Sequence, residues 1–193
     1  MYIHHAPHVV AMHESTSNDI RKMKDTSIKV AVELAKEGQV SGVISAGNSG
    51  AAMALAMYIF RKLEGVERPA IATVHPTPKG STVLIDSGGN VDCKPFHLVQ
   101  FAIMGDAYAK YILGEQEPRI GVLSNGEEEG KGNELTREVH EILSQTNMNY
   151  IGYVEGRDLN SGSVDVIVCD GFVGNVALKI SDGLWETIHA ILR

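Results

Sequence analysis

Four short segments of this chain combine glycine with amide, hydroxyl and carboxylate side chains. They are Ser45-Ala46-Gly47-Asn48-Ser49-Gly50, Asp86-Ser87-Gly88-Gly89-Asn90, Lys131-Gly132-Asn133-Glu134 and Asp170-Gly171-Phe172-Val173-Gly174-Asn175. Segments of this kind suit the handling of a small anion. Glycine lets backbone N–H groups approach a ligand, and a helix that begins just beyond adds partial positive charge. Three of the four follow β-branched runs, Val40–Ile44, Thr82–Ile85 and Val164–Cys169. In an open α/β sheet the loops leaving the carboxyl ends of strands converge on one edge, where ligands bind. The pattern therefore predicts a phosphate or carboxylate site.

Individual residues then become candidates. Ser45, Asn48, Ser49 and Gly50 offer hydroxyl, amide and backbone donors for phosphate, and Lys131 adds a cation aimed at the same edge. The Ser45–Gly50 loop equally fits a plain strand-to-helix turn with Asn48 as its N-cap. It is neither a Walker loop nor a Gly-x-Gly-x-x-Gly dinucleotide fingerprint. Asp86, Asn90, Asp92 and Lys94 lie between a buried strand and a helix start. Lys94 can neutralise an anion, and Asp86 or Asp92 can orient a donor or act as a base. An Asx-type turn with a cap accounts for the same residues. Asn90, Asn133 and Asn175 are candidate donors to a developing oxyanion, with Asp86 and Asp170 as orienters. Cys93 near a helix start raises a covalent acyl-enzyme, and His97 is the one histidine near it in sequence. The eight histidines, with His4, His5, His8 and His13 grouped near one end, lack metal-type spacing, so neither a metal nor a cofactor is expected.

Composition narrows the classes. With 193 residues, 44% hydrophobic and 21% charged, the chain reads as one soluble globular domain over residues 1–193. The net charge of −7 and the absence of a basic run give no support to nucleic-acid binding. Cys93 and Cys169 are far apart, which agrees with a reducing, cytoplasmic setting. No signal peptide is visible, and no apolar stretch approaches the roughly 20 residues of a membrane span.

The elements that must position these residues alternate. Strands are predicted at His8–Met12, Val40–Ile44, Ala70–Val74, Thr82–Ile85, Ile120–Leu123, Tyr150–Val154 and Val164–Cys169. Helices are predicted over Lys24–Lys36 (stopped by Gly38), Gly50–Lys62, Pro95–Leu113 and Glu134–Leu143, and from about Val176. Near-continuous apolar strands between helices predict an α/β fold whose mainly parallel sheet is covered on both faces.

The segments also share an order with a known family. Ser45–Ala51, Arg68-Pro69-Ala70, Asn90-Val91-Asp92-Cys93-Lys94-Pro95, Gln100–Gly105, Gly126-Glu127-Glu128 with Lys131–Glu134, Val154-Glu155-Gly156, and Cys169–Asn175 with Leu178-Lys179 resemble the phosphate acyltransferases of bacterial phospholipid synthesis (PlsX-like). The resemblance implies a three-layer α/β/α fold akin to isocitrate dehydrogenases and phosphate acetyltransferases. It implies transfer of a long-chain acyl group from acyl carrier protein to orthophosphate, giving an acyl phosphate for a glycerol-3-phosphate acyltransferase. It also implies a cytoplasmic homodimer with peripheral membrane contact. The family's opening Asp-Ala-Met-Gly-Gly-Asp loop is absent and its chains run on past the position of Arg193, so the sequence reads as the core of a longer family chain. Two other readings stand beside this one. The first is acyl-coenzyme A:phosphate transfer of the phosphate acetyltransferase kind, and the second is a non-catalytic core that binds carrier protein or phosphate.

Overall fold

A computed structural model describes residues 2–12 and 24–193. These fall into two units, Met1–Pro69 and Ala70–Arg193. In the first, helices α1 (Ser27–Lys36) and α2 (Ser49–Phe60) bury Val10, Ile28, Ala51 and Leu55 against one another. α1 starts three residues later than the pattern predicts, because Asp25 takes a left-handed φ of 55° that cannot continue into a helix. It stops as expected at Gly38, whose φ of 72° lets its N–H turn back to the Ala35 carbonyl.

Two predicted strands of this unit do not form. Residues 40–44 carry no ladder, and Val40, Val43 and Ile44 are exposed. The strand expected at 8–12 reduces to one bridge between His8 and Thr26. β-branched residues favour a pleated surface only where a neighbouring strand takes the backbone hydrogen bonds and a core takes the side chains. His13 lies outside the described residues.

The second unit is built on a five-stranded sheet of β1 (Ala72–Thr77), β2 (Gly80–Ile85), β3 (Ile120–Leu123), β4 (Tyr150–Val154) and β5 (Val166–Val168). Their spatial order is β1-β2-β5-β3-β4, with β1 and β2 an antiparallel hairpin and every other pairing parallel. The hairpin is tighter than predicted, since pairing runs on to Thr77 and Gly80. Pro76 is tolerated in β1 because that strand lies at the sheet edge, where a missing N–H costs no ladder bond.

Alternate residues face opposite layers. Val83, Ile85, Ile120, Val122, Val166 and Val168 pack under α3 (Pro95–Tyr108) and α4 (Glu134–Leu143), which contribute Leu98, Phe101, Val139 and Leu143. Leu84, Val154, Ile167 and Cys169 face the other way, onto Leu159 of the 3-10 turn Gly156–Asn160 and Ala177 of α5 (Gly171–Ile191). Apolar cover on both faces is the reason the strands read as unbroken apolar runs. Gly105 brings α3 close to the sheet, since a Cβ there would run into the Val166 side chain. The helix predicted to Leu113 is α-helical only to Tyr108 and closes in one π-helical turn, Ala109–Leu113, before Gly114. No helix among the described residues is long and apolar enough to cross a membrane.

The amino ends of β3 and β5 are tied by Arg119 and Asp165. The guanidinium donates Nε to Asp165 Oδ2 at 2.9 Å and Nη2 to Oδ1 at 2.7 Å, and the Arg119 backbone N–H adds a bond of 2.7 Å. Burial by itself would raise the Asp165 carboxyl, but the Arg119 bonds outweigh it and hold the group below the usual carboxylate range. A carboxylate with a lower pKa folded than unfolded stabilises above its unfolded pKa, and that contribution is lost as pH falls through the folded value. Asp165→Asn is expected to cost about 1–2 kcal/mol at neutral pH. The wild-type advantage in urea midpoint should narrow below about pH 4. An advantage unchanged in acid would contradict this account.

Candidate active site

The carboxyl ends of the parallel strands β2, β5 and β3 lead into three of the glycine-bearing segments. After β2, the segment Asp86–Asn90 wraps around its own carboxylate. Asp86 is fully buried, and its Oδ1 accepts the backbone N–H groups of Ile71 at 3.0 Å, Gly88 at 3.2 Å and Gly89 at 2.8 Å. Its Oδ2 accepts the backbone N–H of Asn90 at 2.6 Å and the Asn90 side-chain amide at 2.7 Å. A run of N–H groups that would suit a bound anion is therefore closed around an internal one. Ser87 Oγ adds a bond to the Leu84 carbonyl and meets Thr73 Oγ1 at 2.8 Å, which ties the loop to the hairpin.

After β5, the segment predicted as a loop is the first turn of α5, which begins at Gly171 rather than near Val176. Asp170 is its N-cap, and Oδ1 accepts from Phe172 N and Val173 N, both at 2.9 Å. Gly171 N donates to the Asn90 carbonyl at 2.8 Å, and Gly174 N to the Asp170 carbonyl at 2.9 Å. The turn lies so close to the Asp86 loop that two glycines are required. A Cβ on Gly171 would stand 2.8 Å from Asn90 N and O, and one on Gly174 would overlap the Asp86 carbonyl oxygen. Asn175 completes the join with a 3.3 Å bond from Nδ2 to the Ser87 carbonyl.

After β3, the chain returns through Gly132 to α4, whose N-cap is Asn133. Its Oδ1 accepts Thr136 N at 2.9 Å. Between this turn and the start of α5 lies a cleft of about 420 Å³, lined by Ser124, Asn125, Asn133, Thr136, Asp170 and Val173 among others. Asn125 Oδ1 holds the Gly132 N–H at 2.8 Å. Ser124, Asn125 and Thr136 were not among the residues singled out from the sequence. A signal existed for the first two: Leu123-Ser124-Asn125-Gly126 repeats the Ser, Asn and Gly mix of the other segments just after an apolar strand.

The remaining candidates divide. Lys94 is exposed at the N-cap of α3, where its N–H donates to His97 Nδ1 at 3.0 Å. Cys93 Sγ donates to the Asn90 carbonyl at 3.4 Å, so neither of these two bonds joins the thiol to the imidazole. Cys169 is buried, and burial first, then the Asp170 and Asp86 carboxylates, pushes its thiol far above the ordinary range. It is a packed thiol rather than a nucleophile. Lys131 is exposed, and its stem covers Gly126. Within the first unit, Asn48 caps α2 by accepting Ala51 N at 3.0 Å and ties the turn to the Ala11 and Met12 carbonyls, both at 3.3 Å. Ser45 Oγ accepts Gly47 N at 3.2 Å, and Ser49 and Gly50 open the helix.

A sheet edge of this form, with capped helices and short polar turns after parallel strands, is that of the phosphotransacetylase-like α/β fold. A phosphotransacetylase from Streptococcus pyogenes superposes with a TM-score of 0.66 at 20% identity, over 89% of this chain and 59% of that one. The EutD phosphotransacetylase from Staphylococcus aureus gives 0.58 at 15% identity, over 84% and 56%. The family described as fatty acid synthesis protein matches residues 1–193, and the chain belongs to it. Among its relatives, the phosphate acyltransferase of Syntrophotalea carbinolica is 60% identical over 191 residues, or 99% of this chain and 55% of that protein. That of Geobacter sulfurreducens is 59% identical over the same lengths and shares. The chain spans about half the length of the curated relatives it matches.

Proposed function

We propose that the protein is an acyltransferase that moves a long-chain acyl group from acyl carrier protein to orthophosphate, yielding acyl phosphate and free carrier protein for phospholipid synthesis. The observation that carries this reading is the kinship, along nearly the whole chain, with proteins named phosphate acyltransferase. Orthophosphate is already a nucleophile, so the chemistry needs binding, alignment and stabilisation of the oxyanion rather than an activated side chain. A phosphate oxygen attacks the thioester carbonyl, the tetrahedral intermediate collapses, and the carrier thiolate leaves.

The roles follow residue by residue. Within the first unit Ser45, Asn48, Ser49 and Gly50 at the start of α2 bind phosphate, and within the second Lys131 and Lys94 supply positive charge. Asn133 and Asn175 donate to the oxyanion. Asp86 and Asn90 act by shaping the β2 turn, and Asp170 by capping α5. On the same reading the protein works as a cytoplasmic homodimer that touches the membrane peripherally and hands its product to a glycerol-3-phosphate acyltransferase.

Incubation with palmitoyl-acyl carrier protein and orthophosphate, followed by hydroxylamine, should give a hydroxamate that disappears when phosphate is omitted. The same product from palmitoyl-coenzyme A alone would instead favour the phosphate acetyltransferase type of reaction. Carrier-protein binding without product would favour a non-catalytic core. Cys93→Ala is expected to turn over close to the wild-type rate. A collapse of turnover, with an acyl adduct on Cys93 in the wild type by mass spectrometry, would replace direct attack by a covalent route.

A further inference from the structure

The cleft between the β3 turn and the start of α5 differs from an anion site in ways that identify its occupant. Two helix N-termini meet there, which alone would favour a negative ligand. The leading N–H groups of α5 are already taken, however, and at α4 so is that of Thr136. Thr136 N is held by Asn133, Phe172 N and Val173 N by Asp170, Gly171 N by the Asn90 carbonyl and Gly174 N by the Asp170 carbonyl. Besides the Glu134 and Leu135 N–H groups of α4, what faces a ligand is the unused half of each polar side chain. Asp170 has Oδ2, and Asn133 and Asn125 each have a side-chain NH2 group, none with a partner among the described residues.

A carboxylate acceptor beside two amide donors complements a secondary amide, which brings one N–H and one C=O. The same set opposes phosphate. No lysine or arginine lines the cleft, and the Asp170 charge repels an anion at short range. Leu123 and Val173 supply apolar wall between these polar groups, as a methylene chain requires, in a volume of about 420 Å³ suited to a small flexible ligand. We propose that this cleft is the subsite for the neutral, amide-bearing arm of a pantetheine-type thioester, with Asp170 accepting an arm N–H and Asn125 and Asn133 donating to an arm carbonyl, and that it excludes orthophosphate. The assignment rests on the acyl-transfer reading and refines it: Asn133 turns its amide to the arm and leaves the oxyanion to Asn175, and both Asp170 and Asn133 keep their capping bonds.

The test uses the full 193-residue chain with ¹⁵N label and S-methylpantetheine, a neutral probe with two amides and no acyl chain. Saturable shifts of the Asn125 and Asn133 side-chain NH2 signals are expected with the probe, and none with orthophosphate. Asp170→Asn keeps an oxygen to cap Phe172 and Val173 but turns the outward acceptor into a donor, so probe affinity should fall about tenfold. Shifts driven by orthophosphate, an undisturbed Asn125 and Asn133 pair on adding the probe, or an Asp170→Asn affinity equal to wild type would each overturn the assignment. If hydroxamate forms while the probe leaves the pair untouched, the subsite falls and acyl transfer stands. If the probe binds as expected but no hydroxamate forms, the subsite stands and acyl transfer by this chain falls.

Discussion

Gly174→Ala is expected to destabilise the protein by about 3 kcal/mol, although alanine is the better helix former. Gly174 lies in the first turn of α5 and is buried. An added Cβ would overlap the Asp86 carbonyl oxygen and stand 2.9 Å from Cys169 Sγ, so either α5 or the Asp86 loop must move. Neither yields easily, because the loop is held by the Asp86 bonds and α5 by Asp170, Gly171 and Asn175. Gly183 in the same helix is the control: a Cβ there meets nothing within 4 Å. Gly183→Ala should therefore stabilise, by about 0.5–1 kcal/mol. Urea midpoints of the two variants should move in opposite directions. A Gly174→Ala midpoint at or above wild type would mean that α5 does not dock on the loop as described.

Asp86→Ala is expected to cost about 4 kcal/mol, since it strands four buried or half-buried backbone N–H groups and the Asn90 amide without their acceptor. Asp86→Asn keeps the volume but puts an NH2 group against donors, and about 2 kcal/mol is expected for it. The local signature is sharper than the global one. The amide protons of Gly88, Gly89 and Asn90 should lose protection from hydrogen exchange in both variants. On the acyl-transfer reading proposed above, acyl phosphate formation should fall with the loop, on the order of 100-fold. Unchanged exchange at these three amides would show that another group organises the turn.

Much of the second unit was legible in the sequence. The strands at Ile120–Leu123 and Tyr150–Val154 and the helix at Glu134–Leu143 run between the predicted bounds. In that helix Thr136, Val139 and Leu143 are the buried positions, and Asn133 is the cap. These are local matters: side-chain period, capping chemistry and the conformational freedom of glycine act within a few residues. The glycine at Gly38 ended α1 for the same reason.

Decisions that depend on residues distant in sequence were not legible. The runs at 8–12 and 40–44 have the composition of strands, yet no neighbouring strand takes their bonds among the described residues. Asp86 reads as a base or an orienter from its type and surroundings. Its burial and its bond to Ile71 N, fifteen residues away, make it the internal anion of its own loop. Gly171 and Gly174 look like parts of a ligand-binding loop until the Asp86–Asn90 turn is seen against them. By itself the sequence determined the alternation of elements in the second unit and the family, because local propensity and motif order carry that information. Only the tertiary structure decided which polar groups are already satisfied inside the protein and which are left facing the cleft, because a hydrogen bond is used or free according to what lies across from it.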